Sequence, residues 1–249
     1  MIHQALTSVL KELHLPTVRA SYEEIARAAT KDALSYEQYL LTLMEREQEV
    51  RRENKIARLL RASHLPCEKS LSSFDRKRLP EKVNHLLTTL LDGRFMDRCE
   101  NVLAFGNPGS GKTHLLCAVG QEMIQQYGRR VLFTPCNLMV QNLLIAKRDL
   151  KLSKLLKSLA KYDTIIIDDI GYVQQSREEM EVLFTLLADC YERTSIMITS
   201  NLPFSKWEQI FKDPMTTAAA IDRLVHHSVI LELNLPSYRL EKAKENMKK

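Results

Sequence analysis

A glycine-rich octapeptide offers the clearest chemistry in this sequence. Residues 106–113 read GNPGSGKT and lie between a short apolar stretch, 101–105, and a predicted helix, 114–119. Glycines let backbone N–H groups curl around an anion, and a helix that starts there directs its positive end at phosphates. Lys112 can reach the β- and γ-phosphates of a nucleotide, and the Thr113 hydroxyl can ligate Mg²⁺. The pattern predicts a triphosphate-binding loop made of Gly106, Asn107, Pro108, Gly109, Ser110, Gly111, Lys112, Thr113 and His114.

Two adjacent carboxylates end a second apolar stretch, 164–168. Downstream of a phosphate loop, the first of them, Asp168, is expected to hold Mg²⁺ through water. Asp169 is expected to lie where a base can orient the attacking water. Asp169 also fits a plainer role, in which it only caps the turn at Ile170 and Gly171. The predicted cofactors are therefore a nucleoside triphosphate and Mg²⁺, with hydrolysis of the triphosphate as the reaction.

The elements that must position these residues alternate from residue 101 onward. Short β-branched stretches, which we predict to be strands, are separated by helical stretches; they cover residues 101–105, 130–134, 164–168, 195–199 and 228–233. Alternation of this kind predicts an α/β fold with a five-stranded parallel sheet between helices.

The first 70 residues contain no glycine and predict a small all-helical domain. Capping boxes are predicted at Ser21 and Ser35, and the second opens a long helix that should stop before Pro66. The middle of that helix, 45–55, is almost wholly polar, so we expect it to project into solvent or onto a partner. The predicted division of the chain is a helical N-terminal domain, a linker with a helix and an ATPase domain, at 1–70, 71–98 and 99–249.

Composition excludes several classes of protein. Apolar residues make up 45% and charged residues 27% of the 249 positions, which is ordinary for a globular protein. No apolar stretch is long enough to span a bilayer, and the first residues lack the pattern of a signal peptide. The five cysteines are scattered without metal-ligand spacing, so reduced thiols in the cytoplasm are expected, and the histidines form no evident metal site.

Two rows of basic residues are candidates for nucleic-acid contact. The first row follows a helical spacing between residues 147 and 161, opposite a row of leucines, and holds a single acidic residue. Its predicted contacts to DNA phosphates are Lys147, Arg148, Lys151, Lys154 and Lys157. The second row, on the long N-terminal helix, is interleaved with glutamates, and a solvated, salt-bridged helix explains it better. Neither row implies readout of base sequence.

The order of phosphate loop, extra strand and acidic strand resembles that of the AAA+ ATPases. In that resemblance Asn201 takes the place of the residue called sensor 1, although Ser-Asn-Leu-Pro is also a good turn sequence. Arg223 resembles an arginine finger that acts on a neighbouring subunit, with pairing to an aspartate on its own helix as the alternative. Arg239 stands at the place of a second sensor arginine, but too few residues follow it for a full C-terminal lid.

Over nearly its whole length the chain resembles the IstB family of transposition helper ATPases and, more distantly, the DnaC helicase loaders. The features that match are LSYEQYL at 34–40, the linker with Phe74, the phosphate loop, IDDIG at 167–171, TSN at 199–201 and SYR at 237–239. The resemblance implies an ATP-dependent homo-oligomer that assembles on duplex DNA without sequence specificity, selects or remodels target DNA and recruits or stimulates its transposase. A helicase loader and an ATP-switched scaffold without turnover remain alternatives. The usual acidic pair of AAA+ ATPases is Asp-Glu, so Asp169, one methylene shorter than Glu, predicts slow basal hydrolysis.

Overall fold

A computed structural model describes residues 2–171, 176–211 and 213–246. The chain divides into two compact units, one ending at Arg58 and the other beginning at Leu59. The α-helices are α1 (Ile2–Glu12), α2 (Pro16–Lys31), α3 (Tyr36–Ser63), α4 (Glu81–Leu90), α5 (Arg94–Asp97), α6 (Lys112–Tyr127), α7 (Cys136–Arg148), α8 (Leu152–Leu159), α9 (Arg177–Cys190), α10 (Glu208–Phe211), α11 (Pro214–Val225) and α12 (Tyr238–Asn246). The strands are β1 (Asn101–Gly106), β2 (Val131–Pro135), β3 (Thr164–Ile170), β4 (Ser195–Ser200) and β5 (Ser228–Leu233). Within the described ranges, no helix is long and apolar enough to cross a membrane.

The N-terminal unit is helical, as predicted, and has a small core of its own. That core is formed by Leu10 of α1, Val18 of α2 and Leu43 of α3. The capping box predicted before α3 is confirmed, because Ser35 N donates to the Gln38 side chain at 2.9 Å and Gln38 N donates to Ser35 Oγ at 3.2 Å.

One prediction for this unit is wrong, and a second, the exposure of residues 45–55, holds for most of that stretch but not for Glu47. Ser21 does not cap a helix, since it lies inside α2 and its hydroxyl donates to Thr17 O at 2.8 Å. Glu47, in the polar middle of α3, does not project into solvent, for it is only 3% exposed. Its carboxylate accepts the N–H groups of Thr17 and Val18 at 2.8 and 3.0 Å. It therefore caps the start of α2 from a distant part of the sequence, and Arg51 pairs with its second oxygen at 2.7 Å.

The second unit contains a five-stranded sheet in the order β2-β3-β4-β1-β5. Every pairing is parallel, which confirms the fold predicted from the alternation of elements. The loops after β1, β3 and β4 consequently emerge at one edge of the sheet, where ligands of such folds bind. Because β5 pairs with β1, the segment that follows β5 also passes this edge.

Helices cover both faces of the sheet. On β3, Ile165, Ile166 and Ile167 are all fully buried, although successive side chains of a strand point to opposite faces. Ile166 faces α6, where it lies against Gly120, whereas Ile165 and Ile167 join the core that includes residues of α7 and α9. This packing on both sides fixes the strand ends that build the site.

Candidate nucleotide-binding site

The phosphate loop joins β1 to α6 and is curled around its own lysine. Lys112, the first residue of α6, is buried, and its ammonium donates to the carbonyl oxygens of Gly106 and Asn107 at 2.8 and 3.0 Å. Gly109 has a φ of +78°, a conformation that few residues other than glycine adopt. Burial lowers the pKa of Lys112 from its ordinary value, and the carboxylates of Asp169 and Asp168 oppose that shift.

The loop also contains a polar atom that a ligand would satisfy. Ser110 Oγ is buried and has no hydrogen-bond partner among the described residues. A buried hydroxyl without a partner costs free energy, and an anion in the curl of the loop would accept a hydrogen bond from it. Together with the buried ammonium of Lys112, this hydroxyl makes the loop fit a phosphate group.

The two predicted Mg²⁺ residues lie in direct contact. Thr113 Oγ1, at the start of α6, donates to Asp168 Oδ1 at 2.7 Å, although the two residues are 55 positions apart. A hydroxyl and a carboxylate supply hard oxygen ligands, the type that Mg²⁺ prefers. Thr113 and Asp168 therefore fit the ion that the sequence predicts.

A buried threonine that the sequence reasoning missed joins this pair. Thr199 Oγ1, on β4, donates to Asp168 Oδ1 at 2.7 Å and accepts the backbone N–H of Asp169 at 2.8 Å. The pairing of β3 with β4 is irregular between Ile167 and Ile170, and Asp169 has a φ of +60° inside that irregularity. The sequence signal for Thr199 is its place in the TSN motif at 199–201, but that match assigned it no role.

Asp169 faces the cavity rather than serving only as a cap for the turn that follows it. Its pKa is raised from the ordinary value, first by burial and second by the neighbouring Asp168 carboxylate. Lys112 and Arg239 act in the opposite direction and favour the ionised form. A carboxylate with a raised pKa is the better proton acceptor, which suits a group that orients and activates water.

The cavity in front of the loop has a volume of about 360 Å³. Asn201 and Arg239, both named from the sequence, line it together with the phosphate loop and Asp169. Arg223 does not line it within the described part of the chain. On α11 its guanidinium instead donates to Ala219 O at 2.9 Å and lies 5.2 Å from the centre of the Phe184 ring.

The stretch before the ATPase core supplies a wall of the cavity that sequence reasoning treated as a linker. Phe74 lies edge-on to His114, with 5.1 Å between ring centres. His114 Nε2 is 3.1 Å from Ser73 Oγ and 3.0 Å from Ser70 O, so the wall is tied to α6. The other lining residues from this stretch are Lys69, Asp75 and Arg78. Phe74, a single aromatic residue among serines and basic residues, belongs to the linker that matches the family, but nothing in the sequence placed it at the cavity.

The predicted basic row is not a single helix, and that part of the prediction is wrong. Lys147 and Arg148 end α7, whereas Lys154 and Lys157 lie on α8. The two helices are separated by a turn in which Leu150 has a φ of +57°. All the predicted DNA contacts, Lys147, Arg148, Lys151, Lys154 and Lys157, are nevertheless exposed.

The leucines opposite the basic row pack as expected. Leu152, Leu155, Leu156 and Leu159 lie against the core beside β3. Two of the lysines have acidic neighbours, since Lys147 pairs with Glu181 at 3.1 Å and Lys151 with Asp149 at 3.2 Å. Both pairs are exposed and so stabilise little.

Comparison with known proteins decides the family. The model of the family described as IstB-like ATP binding protein matches residues 8–246. The chain belongs to this family. A relative from Sinorhizobium fredii, provisionally named an insertion sequence ATP-binding protein, is 40% identical over 95% of this chain and 80% of its own length. The provisional ATP-binding protein of insertion sequence IS21 from Pseudomonas aeruginosa is 35% identical over 97% of this chain and 90% of its own length.

Solved structures agree on the fold. The crystal structure of the DnaC helicase loader covers 67% of this chain and 97% of its own length, with a TM-score of 0.59 and 16% identity. The IstB-like chain is thus a P-loop ATPase with the AAA+ fold, and the cavity at the end of β1 is its candidate ATP site. The family and fold predicted from the motifs are confirmed.

Proposed function

We propose that this IstB-like ATPase is a regulator of transposition that assembles on duplex DNA when it binds ATP. In this proposal it selects or remodels target DNA and recruits or stimulates its transposase. The observation that supports it best is a complete phosphate loop beside the hydrogen-bonded pair of Thr113 and Asp168. The relatives of the chain are named after insertion sequences. The helical N-terminal unit would serve oligomerisation or contact with DNA or a partner.

Within one chain the residues divide the work on ATP. The backbone of residues 106–111 and the Lys112 ammonium would hold the phosphates, and Thr113 and Asp168 would hold Mg²⁺. The metal supplies neutralisation of the charge on the β- and γ-phosphates. Asp169 would accept a hydrogen bond from the attacking water and align it with the γ-phosphorus. The Asn201 amide can donate to the γ-phosphate and also position that water.

The neighbouring copy would complete the site. Arg223 lies outside the cavity of its own chain, as a residue that acts on a neighbour must. A guanidinium brought to the γ-phosphate stabilises charge in the transition state. Hydrolysis would then be slow for the single chain and faster in the assembly.

DNA contact would come from the exposed basic residues on α7, α8 and the turn between them. An electrostatic surface of this kind binds phosphates of any sequence and loses affinity steeply as salt rises. Sequence-specific binding requires side chains that enter a groove and donate or accept hydrogen bonds at base edges. A row of lysines that contacts phosphates does not require such contacts. The expected substrate is therefore duplex DNA of arbitrary sequence.

The decisive experiment combines the protein with duplex DNA and a slowly hydrolysed ATP analogue, and images the product by electron microscopy. We expect multimers on duplex DNA with the analogue and none without it. Lys112→Ala should abolish them, whereas Lys82→Ala, an exposed lysine on α4, should not. Binding confined to single strands would contradict the proposal.

Two further measurements separate the alternatives. A helicase loader should capture the host's replicative helicase in a pull-down, and a transposition regulator should not. A scaffold without turnover should show the same negligible ATP hydrolysis for wild type and Asp169→Asn, with DNA and transposase present. A clear loss of hydrolysis in Asp169→Asn supports the enzyme.

A further inference from the structure

An arginine before the ATPase core grips the segment that follows β5. Arg78 ends a 3-10 turn, Arg76–Arg78, and donates to Glu241 Oε2 at 2.6 Å and to Pro236 O at 3.2 Å. Its guanidinium also lies 5.0 Å from the centre of the Tyr238 ring. We call these three contacts the arginine clasp. All three partners belong to residues 236–241, more than 150 positions away in sequence.

The gripped segment rests directly on the phosphate loop. Tyr238 N donates to Gly109 O at 3.0 Å. Ser237 approaches Gly109 so closely that a Cβ added to the glycine would lie 2.2 Å from Ser237 Oγ. The segment is therefore held between the loop on one side and Arg78 on the other.

The described part of the helix that follows, α12, contributes no buried apolar side chain. From Tyr238 to Lys244 every residue of α12 is exposed, so no apolar side chain of that stretch is buried. A helix of nine residues has little stability by itself in water, and most helices gain theirs from a packed apolar face. The arginine clasp would stabilise the segment in place of a packed apolar face, because the half-buried guanidinium of Arg78 contacts several partners at once.

The clasp bears on the reaction through Arg239, the residue after Tyr238. Arg239 lines the cavity, and its charge acts on both Lys112 and Asp169. We propose that Arg78 is a positioning residue, which holds the segment 236–241 closed on the phosphate loop and so keeps Arg239 over the place of the γ-phosphate. The inference rests on the proposed function, since it assumes that the cavity takes ATP with its third phosphate beside Asp169.

The clasp should decide how well the site distinguishes ATP from ADP. ADP lacks the phosphate that Arg239 would contact, so ADP binding gains nothing from a well-placed Arg239. Loss of the clasp should weaken ATP binding and leave ADP binding nearly unchanged. General damage to the loop would weaken both nucleotides alike.

The test measures dissociation constants for Mg·ATP and Mg·ADP by calorimetry on the full chain. We expect Arg78→Ala to weaken ATP binding about tenfold and ADP binding less than twofold. Arg76→Ala is the matched control, because Arg76 lies on the same turn but donates to Asn84 and Thr88 instead. It should change neither constant.

Comparison with Arg239→Ala makes the mechanism testable. If Arg78 acts through Arg239, the double variant should bind ATP no more weakly than Arg239→Ala alone. Additive losses would mean that Arg78 contacts the nucleotide itself and would overturn the inference. Glu241→Gln, which keeps the side-chain size, provides a second variant and should shift the ATP constant in the same direction by less.

The outcomes also separate this inference from the proposed function. If wild type binds no ATP, or Lys112→Ala binds as well as wild type, the assignment of the site itself fails. If wild type prefers ATP and Arg78→Ala retains that preference, only the clasp fails. Equal affinity of wild type for ATP and ADP also overturns the clasp, since Arg239 would then read no third phosphate.

Discussion

Thr199 donates a 2.7 Å hydrogen bond to Asp168 Oδ1, the same oxygen that Thr113 contacts. The Thr199 hydroxyl also accepts the N–H of Asp169 at 2.8 Å, so one buried side chain holds the carboxylate of Asp168 and the backbone of Asp169. Asp168 and Asp169, the proposed metal-binding residue and base, are therefore positioned by β4 and not only by the strand that bears them.

Removal of the Thr199 hydroxyl should impair hydrolysis and stability together. Thr199→Val keeps the shape but leaves the buried N–H of Asp169 without an acceptor, which costs about 1–3 kcal/mol. We expect a lower unfolding temperature and an ATPase rate at least tenfold lower, because misplaced water is costly. Thr199→Ser should retain most of both. ATPase assays and thermal unfolding check this.

A matched control for Thr199 lies on α9. Thr185 donates only to Glu181 O of its own helix, at 2.8 Å. Thr185→Val should therefore change neither the ATPase rate nor the unfolding temperature. If Thr199→Val behaves like this control, the hydroxyl does not orient the carboxylates.

The raised pKa of Asp169 predicts the pH dependence of the reaction. Asp169 works as a base only when ionised, so the rate should fall as pH falls through its pKa. Because burial and Asp168 raise that pKa, the fall should begin at a higher pH than for an ordinary aspartate. Asp169→Asn should reduce the rate by about 10²–10³-fold and remove this acid limb. A pH–rate profile of both proteins is the measurement.

The same shift predicts a gain in stability when the charge is removed. A carboxyl whose pKa is raised on folding binds its proton more tightly in the folded state, so its charge disfavours folding above that pKa. Asp169→Asn should therefore raise the unfolding temperature of the nucleotide-free protein at neutral pH. The gain should vanish at acidic pH, where the wild-type carboxyl is protonated. An equal gain at every pH would contradict the assignment.

Much of this site could be predicted from the sequence because the relevant signals are local. The phosphate loop is a run of consecutive residues, and Asp168 and Asp169 end a strand whose apolar pattern is plain. The parallel sheet followed from the alternation of strands and helices, which leaves few possible topologies. Local patterns of this type predict the structure well because the residues that form each motif are neighbours in the sequence.

The missed residues depend on contacts between distant parts of the chain. Thr199 looks like any β-branched residue of a strand, and Arg78 becomes meaningful only when Glu241 is brought beside it. In the sequence Glu47 is not distinguished from the polar residues around it. Its role follows only from the fold, which brings the unpaired N–H groups at the start of α2 to its carboxylate. Leu150 is a good helix former, so the residue type at this position does not predict the turn that divides the basic row.

Lysines on α8 should account for part of the salt dependence of DNA binding. Lys154→Ala/Lys157→Ala removes two exposed ammonium groups and should reduce the slope of log affinity against log salt by about 2. The loss should be the same for unrelated duplex sequences. Fluorescence anisotropy at several salt concentrations checks it.

Lys147 serves as the graded comparison for that measurement. Its ammonium already pairs with Glu181 at 3.1 Å, and this carboxylate partly neutralises the charge that a phosphate would meet. Lys147→Ala should lower the slope by less than one. An unchanged slope in the double α8 variant would exclude this surface from DNA contact.

Subunit mixing should reveal whether Arg223 acts on a neighbouring copy. Arg223→Ala retains Asp169, and Asp169→Asn retains both the phosphate loop and its arginine, so each variant alone should hydrolyse ATP at least a hundredfold more slowly than wild type with DNA present. In an equal mixture, a chain with Asp169 meets a neighbour with Arg223 at about a quarter of the interfaces. Activity should therefore recover to about that fraction. The control mixes Arg223→Ala with Asp169→Asn/Arg223→Ala, which supplies no arginine and should stay inactive. No recovery in the first mixture, or equal recovery in both, would show that Arg223 has no role across the interface.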